Sequence, residues 1–235
     1  MSDEGGFADE HGRDTPGGAV EEEAPPRRPW ALIVLGIVAV AALAFAIGRF
    51  TAFGTVAEPA PNAADIGFAR DMQVHHAQAV EMAMDIYRVT DDPELRILSY
   101  DIATGQSAQK GEMYDWLAQW GEPQAGGPLM EWMADSDGHA HGDTGAAEGD
   151  AEREAAMGMA SPEELRQLEA SSGTAADCLF LALMTRHHQG AVQMVDAVLE
   201  LGSRPNVQNT AASMKETQSA EIDAMASLQA RLQCR

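Results

Sequence analysis

Two short stretches of the chain place adjacent histidines behind a methionine, and both follow one pattern. The pattern is Met-x-x-His-His, and its six members are Met72, His75, His76, Met184, His187 and His188. The two copies are 112 residues apart, and 14 of the 56 positions in 65–120 are identical to their counterparts in 177–232. This repeat indicates a duplicated helical hairpin that brings two sets of donor side chains together.

The spacing within each copy is that of one helical face. Met72 lies three residues before His75 and four before His76, so on a helix either histidine could share an ion with the methionine. His75 and His76 are turned about 100° from each other, so we expect one to face the bundle axis and the other a side interface. Met82 lies about 10.5 Å along the axis from His75, and we assign it to the core or to another site.

The chemistry of this donor set favours copper. Imidazole suits copper, zinc, iron and nickel, whereas the soft thioether of methionine selects copper, above all Cu(I). Zinc would prefer cysteine, histidine or carboxylate ligands, and both cysteines lie away from the histidine pairs in the repeat. We therefore predict a copper site, for Cu(I) or Cu(II), formed by Met72, His75, His76, Met184, His187 and His188.

Other interpretations of these side chains stay open. The four histidines could form a purely structural polar core, in which each needs a buried hydrogen-bond partner. A noncovalent haem with Met and His axial ligands would use the same residue types. Further donors between the two copies are either incidental loop residues or auxiliary copper ligands: Met130, Met133, His139, His141, Met157 and Met159.

Several classes of enzyme lack support in the sequence. A di-iron carboxylate bundle would carry Glu-x-x-His motifs on its helices, and covalent haem would need Cys-x-x-Cys-His. No nucleophile elbow, phosphate loop or Ser/His/Asp arrangement is visible either. We therefore expect the protein not to be an enzyme. A redox enzyme using the same site is a further alternative, which would need an open coordination position and turnover.

Apolar residues at helical spacing predict the elements that carry the motifs. The first hairpin, residues 65–120, begins at Asp65 as the expected N-cap. Asp92 caps its second helix, Pro93 takes the first helical position and Gly121 ends it. An isolated hairpin cannot bury its apolar seam, so a second one must pack against it.

The second hairpin, residues 177–233, repeats these signals with Asp177 as cap, Gly202 as stop and Pro205 as restart. We predict an all-α fold, in which two duplicated hairpins form an antiparallel four-helix bundle of ferritin-like type over residues 65–235. The hairpins are joined by a long connector, 121–176, within which a helix-start signal predicts a short helix over 162–171.

The two cysteines test this topology. Cys178 lies at the start of the third long helix and Cys234 at the end of the fourth. Those two ends are neighbours in an antiparallel hairpin, and disulfides persist outside the cytoplasm. We therefore predict a Cys178–Cys234 disulfide.

The N-terminal region predicts a membrane attachment. Residues 1–28 carry eight acidic and three basic residues without apolar periodicity, so we predict a disordered cytoplasmic tail. Residues 29–53 contain an uncharged apolar run at 31–48, long enough for a transmembrane signal anchor. A buried core helix and a cleaved signal peptide are the alternatives. The arginines that precede the run put the N-terminus inside, with a spacer at 54–64 and the bundle outside the cytoplasm.

Charge and composition limit the partners. The formal net charge of −22 and the pI near 4.4 exclude nucleic acid, which requires basic patches. We expect a membrane and a metal ion as partners, and the sequence does not identify a protein partner. The alternative function is a non-catalytic structural or signalling ectodomain that binds another protein.

The motifs also resemble a known family. The D-x-x-F-x-x-x-M-x-x-H-H-x-x-A-V-x-M pattern in both hairpins, the MGMASPEEL stretch at 157–165 and the Gln-Ser-Ala…Met segments at 106–113 and 218–225 resemble bacterial ferritin-like proteins classed as a domain of unknown function, some of which are CopM-like. The resemblance covers residues 63–233. It implies a four-helix bundle outside the cytoplasm that in some members binds copper through Met and His and contributes to copper tolerance.

The resemblance implies the same six ligands, and the chain departs from a regular repeat near them. Gln78 stands where the second copy has Gly190, and Gly111 stands in the second helix of the first copy where an acidic or apolar residue would be more usual. Neither position belongs to a histidine pair.

Overall fold

The computed structural model describes residues 29–53, 58–134 and 149–234, and within them the protein is entirely helical. The predicted all-α fold is confirmed. A single 3-10 helix, Glu131–Met133, accompanies the α-helices of the described residues, which are α1 (Trp30–Phe53), α2 (Ala63–Val89), α3 (Pro93–Trp120), α4 (Asp150–Ala156), α5 (Pro162–Ala170), α6 (Gly173–Leu201) and α7 (Pro205–Leu232).

The chain divides into two compact units, of which the first is residues 1–56. Its helix α1 is apolar and uncharged from Trp30 to Ile47, and its described side chains are exposed. By length and composition, the stretch Trp30–Arg49 could cross a membrane. A signal sequence near the N-terminus would have the same length and composition. The predicted disordered tail, 1–28, and part of the predicted spacer, 54–57, lie outside the described residues.

The second unit, residues 57–235, is built around four long helices. Helix α2 packs on α3 and α6 packs on α7, so each pair forms a hairpin, and the hairpins meet where α2 packs on α6. This arrangement leaves the first helix of each hairpin in the centre. The two central helices are those that carry the Met-x-x-His-His motifs.

Most predicted helix boundaries are confirmed. The Asp92 carboxylate accepts hydrogen bonds from the backbone N–H groups of Glu94 and Leu95, directly beside Pro93 at the start of α3. Gly121 ends α3 with a left-handed φ of 73°, which costs least in a glycine. Helix α6 ends before Gly202, α7 begins at Pro205, and the predicted helix at 162–171 is α5.

The two predicted aspartate caps are wrong. Helix α2 is capped by Asn62. Asp65 is the third residue of the helix and forms a capping box with Asn62. Helix α6 begins at Gly173, so Asp177 lies inside it. For Asp65 the reason is tertiary: its buried carboxylate accepts hydrogen bonds from Ser203 and Arg204 at the α6–α7 turn, which connects the start of one hairpin to the bend of the other.

The predicted disulfide is confirmed. Cys178 in the second turn of α6 is bonded to Cys234 just beyond α7, with their Cα atoms 5.4 Å apart. The bond closes a loop of 56 residues and joins the two ends of the second hairpin.

The connector between the hairpins contains more structure than the sequence indicated. Besides α5, it forms the short helix α4 and the 3-10 helix, and Met133, Met157 and Met159 are buried. Asp71 of α2 organises its first part, since its carboxylate accepts hydrogen bonds from the Met130 backbone and the Trp132 indole. Burial raises the Asp71 pKa, and these hydrogen bonds partly oppose the increase.

Candidate metal centre

The four histidines of the two motifs lie at the centre of the second unit and are fully buried. His75 of α2 stacks against His187 of α6, with ring centroids 3.6 Å apart. His76 and His188 turn away from this stack, each with its ring centroid 6.4 Å from that of its neighbour in sequence. The predicted division of each pair, one member toward the axis and one toward a side interface, is confirmed.

Three of the four imidazoles donate a hydrogen bond through Nε2 to an oxygen. His75 donates to the backbone carbonyl of Met157 in the connector over 3.0 Å. His76 donates to the carboxamide oxygen of Gln109 on α3 over 2.8 Å. His188 donates to the carboxylate of Glu221 on α7 over 2.7 Å. Because a carbonyl or carboxylate oxygen can only accept, Nε2 carries a proton in each of these three rings.

The opposite nitrogen of each ring has no such partner. Nδ1 of His75, His76 and His188 is buried and makes no hydrogen bond to the described residues, and the same holds for both ring nitrogens of His187. A buried nitrogen lone pair without a donor is costly in a purely structural core. One nitrogen fixed as donor to an oxygen and the other left with its lone pair is the arrangement of a metal-binding histidine.

Two buried glutamines share this lack of partners. Gln106 on α3 and Gln218 on α7 occupy equivalent positions of the repeat, and neither carboxamide is hydrogen-bonded to the described residues. Each precedes by three residues the group that accepts from His76 or His188, so both lie on the histidine-facing side of their helices. These two glutamines are the first residues of the repeated Gln-Ser-Ala segments in the sequence.

The environment keeps the imidazoles of His75, His76 and His187 neutral. The pKa of His75 is lowered to about 3, mainly by burial and secondly by the neighbouring His76. Burial likewise lowers the pKa of His76 to about 4, against the opposing hydrogen bond to Gln109. The pKa of His187 is also lowered, by burial first and by His75 second. Neutral imidazole is the form that binds metals.

The predicted methionine ligands fall into two separate groups that flank the histidines. Met72 belongs to a buried cluster with Phe68, Met113 and Met194, here called the Met72 cluster. Met184 belongs to a second buried cluster with Phe180, Met225 and Met82, here called the Met184 cluster. Along α2 the histidines therefore lie between residues of the two clusters, and along α6 the same order runs in reverse.

Each cluster combines residues of both repeats. Met82, which the sequence assigned either to the core or to another site, packs in the same cluster as Met184 of the second copy. Met194, the counterpart of Met82 in the second copy, packs in the same cluster as Met72. This exchange follows from α2 and α6 running antiparallel past each other. The two hairpins thus complete each other's methionine clusters.

The connector adds sulfur to one side only. Met157 and Met159 are buried in the Met72 cluster and pack as core residues, and their role as auxiliary copper ligands stays a prediction. Gly190 permits this approach, because a Cβ atom there would lie 1.8 Å from the Met157 carbonyl oxygen. The equivalent Gln78 instead exchanges two hydrogen bonds with the Ala160 backbone. His139 and His141 lie outside the described residues.

The donors present define which metals fit. Within the described parts of the chain, no three side chains drawn from His, Cys, Asp and Glu are grouped so that they could hold a metal ion. Both cysteines are consumed by the disulfide. The candidate donors among the described residues are the imidazole nitrogens of the histidine layer and the thioether sulfurs of the clusters on either side of it, and thioether is a soft donor that suits copper.

The sequence interpretation missed the residues that orient the histidines. Gln109 and Glu221 both lie 33 residues after the histidine they contact, and they occupy equivalent positions of the repeat. That common separation could have identified them once the antiparallel hairpins were assumed. The connector carbonyl of Met157 has no counterpart in the repeat and left no such signal.

Fold and site together define a class: an all-helical domain of two hairpins with a buried histidine layer between methionine clusters. The chain belongs to the family described as domain of unknown function DUF305, whose pattern matches residues 65–229. The CopM-like resemblance seen in the sequence is thereby confirmed. Among curated proteins, none matches the chain.

Solved structures of the family have the same fold. A candidate secreted DUF305 protein from Streptomyces coelicolor is 38% identical over 73% of this chain and 94% of its own, with a TM-score of 0.63. A DUF305 fragment from Deinococcus radiodurans is 31% identical over 74% of this chain and 99% of its own, with a TM-score of 0.61. CopM in its Cu(II)-bound form is 26% identical over 71% of this chain and 96% of its own, with a TM-score of 0.53.

Proposed function

We propose that the protein binds copper through the histidine layer and the methionines beside it, and that it sequesters the ion or passes it on without catalysing a reaction. The observation that carries this proposal is the set of buried Nδ1 atoms without partners, on imidazoles whose Nε2 protons are already donated to oxygens. The metal would satisfy lone pairs that the described residues leave unpaired. CopM, which has been solved with Cu(II) bound, supports the choice of metal.

The proposed ligands are the six residues of the two motifs: Met72, His75, His76, Met184, His187 and His188. Bound copper would be a soft Lewis acid held by neutral donors, and the chain supplies the dry, preformed surroundings. The residues that orient the donors are Gln109, Glu221 and the Met157 carbonyl. Met157 and Met159 are additional thioethers on the side of the Met72 cluster.

The site can be tested by titrating the full-length protein in detergent with Cu(I) against a competing chelator. A variant with all four histidines changed to alanine is the control, and circular dichroism checks that it remains helical. We expect wild type to bind far more tightly. Binding by wild type no tighter than by this variant would rule out the histidine site.

Thermal unfolding separates this function from the alternative of a structural or signalling ectodomain that binds a protein partner. A ligand that binds only the folded protein stabilises it, by about 2.7 kcal/mol at a concentration one hundred times its Kd. Copper binding therefore predicts a higher Tm with copper, whereas the ectodomain alternative predicts no change.

We further propose that α1 is a single-pass membrane anchor, with the helical domain outside the cytoplasm in the periplasm or at the cell surface. The uncharged, exposed surface of α1 from Trp30 to Ile47 and the disulfide of the domain support this location. Alkaline extraction of native membranes tests the anchor. Release of the protein, or a mass that lacks the α1 residues, would instead indicate a cleaved signal sequence.

A further inference from the structure

The two repeats differ in charge at one position that matters for the histidines. Gln109 and Glu221 are equivalent residues, 112 positions apart, and each accepts the Nε2 hydrogen bond of its own repeat's second histidine. The donor atoms, distances and burial of His76 and His188 match closely, whereas the acceptors are a neutral carboxamide and a carboxylate. The exchange therefore changes charge with almost no change in shape.

The carboxylate of Glu221 lies in a position to act on the metal site. It is 2.7 Å from His188, and its side chain is only 15% exposed. Among the described residues, the one basic side chain within 4 Å of its carboxylate is His188. A carboxylate that accepts from a histidine raises the basicity of the opposite ring nitrogen, and losing such a partner typically weakens metal binding 10- to 100-fold.

The effect of a fixed negative charge depends on the charge of the ion. At one distance a carboxylate attracts a dication twice as strongly as a monocation. The Glu221 carboxylate therefore favours Cu(II) over Cu(I) at His188. Gln109 accepts the same hydrogen bond at His76 and adds no charge.

The methionines are distributed in the complementary way. Met72 lies four residues before His76, and its cluster gains Met157 and Met159 from the connector. Met184 lies four residues before His188, and its cluster receives no methionine from the connector. Thioether sulfur favours Cu(I), so both differences between the repeats point in the same direction.

From this asymmetry we infer that the two repeats are unequal copper sites, with His188 and Glu221 selecting Cu(II) and His76, Gln109 and the Met72 cluster selecting Cu(I). Glu221 and Gln109 act through the histidines as positioning residues and do not touch the ion. The inference rests on the proposed copper binding and adds a preference for oxidation state within it.

The test is a reciprocal exchange in the full-length protein, using Glu221→Gln, Gln109→Glu and the double variant. Each is titrated separately with Cu(I) and Cu(II) against competing chelators, and the Cu(II) forms are compared by electron paramagnetic resonance. Glu216→Gln, which removes an exposed carboxylate from the same helix, controls for net charge.

We expect Glu221→Gln to weaken one Cu(II) site about 10- to 100-fold. Because the Coulomb energy is halved for a monocation, the Cu(I) loss should be about the square root of that, three- to tenfold. Gln109→Glu should strengthen the other Cu(II) site, and the double variant should reverse the order of the two. Glu216→Gln should leave the affinities for Cu(I) and Cu(II) unchanged.

Equal losses for Cu(I) and Cu(II) in Glu221→Gln, or no gain of Cu(II) affinity in Gln109→Glu, would overturn the inference while wild-type copper binding stands. A wild-type protein that binds neither ion better than the four-histidine variant would instead overturn the proposed function. Circular dichroism melts of each variant show whether it is folded, and the reciprocal variant tests the inference if one of the two does not fold.

Discussion

His75 lies against His187 across the contact between the two central helices, with ring planes tilted by 33° and centroids 3.6 Å apart. Both side chains are fully buried. Two stacked imidazoles this close repel each other if both are charged, and burial disfavours the charge on either. The contact is therefore made by two neutral imidazole rings, and protonation of either ring would compete with metal binding by it.

The metal-free protein should lose stability as the solution becomes acidic. His75 and His76 have folded pKa values of about 3 and about 4, below the ordinary value of 6.5, so below pH 6.5 the unfolded chain binds protons that the folded one does not. The free energy of unfolding should fall by about 1.4 kcal/mol per pH unit for each such histidine. Urea unfolding between pH 7.5 and pH 5 measures this slope.

The interval above pH 5 excludes the two carboxyl groups whose pKa values are lowered most by arginines. Asp92 and Glu164 have pKa values lowered to about 2 by Arg231 and Arg186, so their stabilisation is lost at more acidic pH. A His76→Leu variant should have a shallower slope by about one proton's contribution. Equal slopes in wild type and this variant would contradict the assignment.

Replacing the methionine ligands with leucine should weaken copper binding without unfolding the protein. Leucine nearly conserves the volume of methionine and usually costs less than about 1.5 kcal/mol in a core. Met72→Leu and Met184→Leu should each reduce Cu(I) affinity about tenfold, equivalent to about 1.4 kcal/mol. Met84→Leu, outside the ligand set, is the matched control, and Cu(I) affinity equal to that of wild type in both ligand variants would exclude these sulfurs.

A methyl group at Gly190 should push the connector away from the histidines. Its Cβ would overlap the carbonyl oxygen of Met157, which accepts the hydrogen bond of His75. We expect Gly190→Ala to lower the free energy of unfolding by about 1–3 kcal/mol, measured by urea unfolding. At Gly105 the added Cβ meets nothing within 4 Å, so Gly105→Ala should stabilise α3 by about 0.5–1 kcal/mol. Equal effects of the two changes would refute the close contact.

The paired aspartates of the repeat should differ in their contribution to stability. Asp65 accepts from the backbone N–H groups of Ser203 and Arg204, whereas Oδ1 of the equivalent Asp177 has no partner among the described residues. Asp65→Asn should cost about 1.5–3 kcal/mol, because an amide cannot replace the carboxylate as acceptor to several donors. Asp177→Asn should cost less than Asp65→Asn in the same denaturant titration, and the reverse order would contradict this account.

Loss of the disulfide should destabilise the second hairpin. A Cys178→Ser/Cys234→Ser variant releases a loop of 56 residues, for which a loss of about 2–4 kcal/mol is expected. Its Tm should match that of wild type unfolded in reductant. A Tm unchanged from oxidised wild type would mean that the bond contributes little to stability.

The sequence predicted the helices well because their signals are local. Asp92, Gly121 and Pro205 act within one helical turn, and the spacing of Met72, His75 and His76 needs no tertiary information. Asp65 misled the prediction because a side chain suited to capping makes its main contacts with the α6–α7 turn, 138 and 139 residues away.

The site was only partly predictable for the same reason. The repeated motif identifies the four histidines, and helical geometry alone predicts that the two members of each pair point in different directions. The Met157 carbonyl reaches His75 because Gly190 leaves room for it, which is a contact between segments that no periodicity relates. The exchange of Met82 and Met194 between clusters likewise depends on the antiparallel packing of α2 against α6.

Neither half of the repeat contains a complete methionine cluster, since Met82 and Met194 each serve the opposite half. A shorter chain with a single such hairpin could bury its core only as a homodimer, and its folding would depend on protein concentration. Joining two hairpins in one polypeptide makes that association intramolecular. The two halves of one chain can also differ in sequence, as they do at Gln109 and Glu221, whereas identical subunits encoded by one gene cannot.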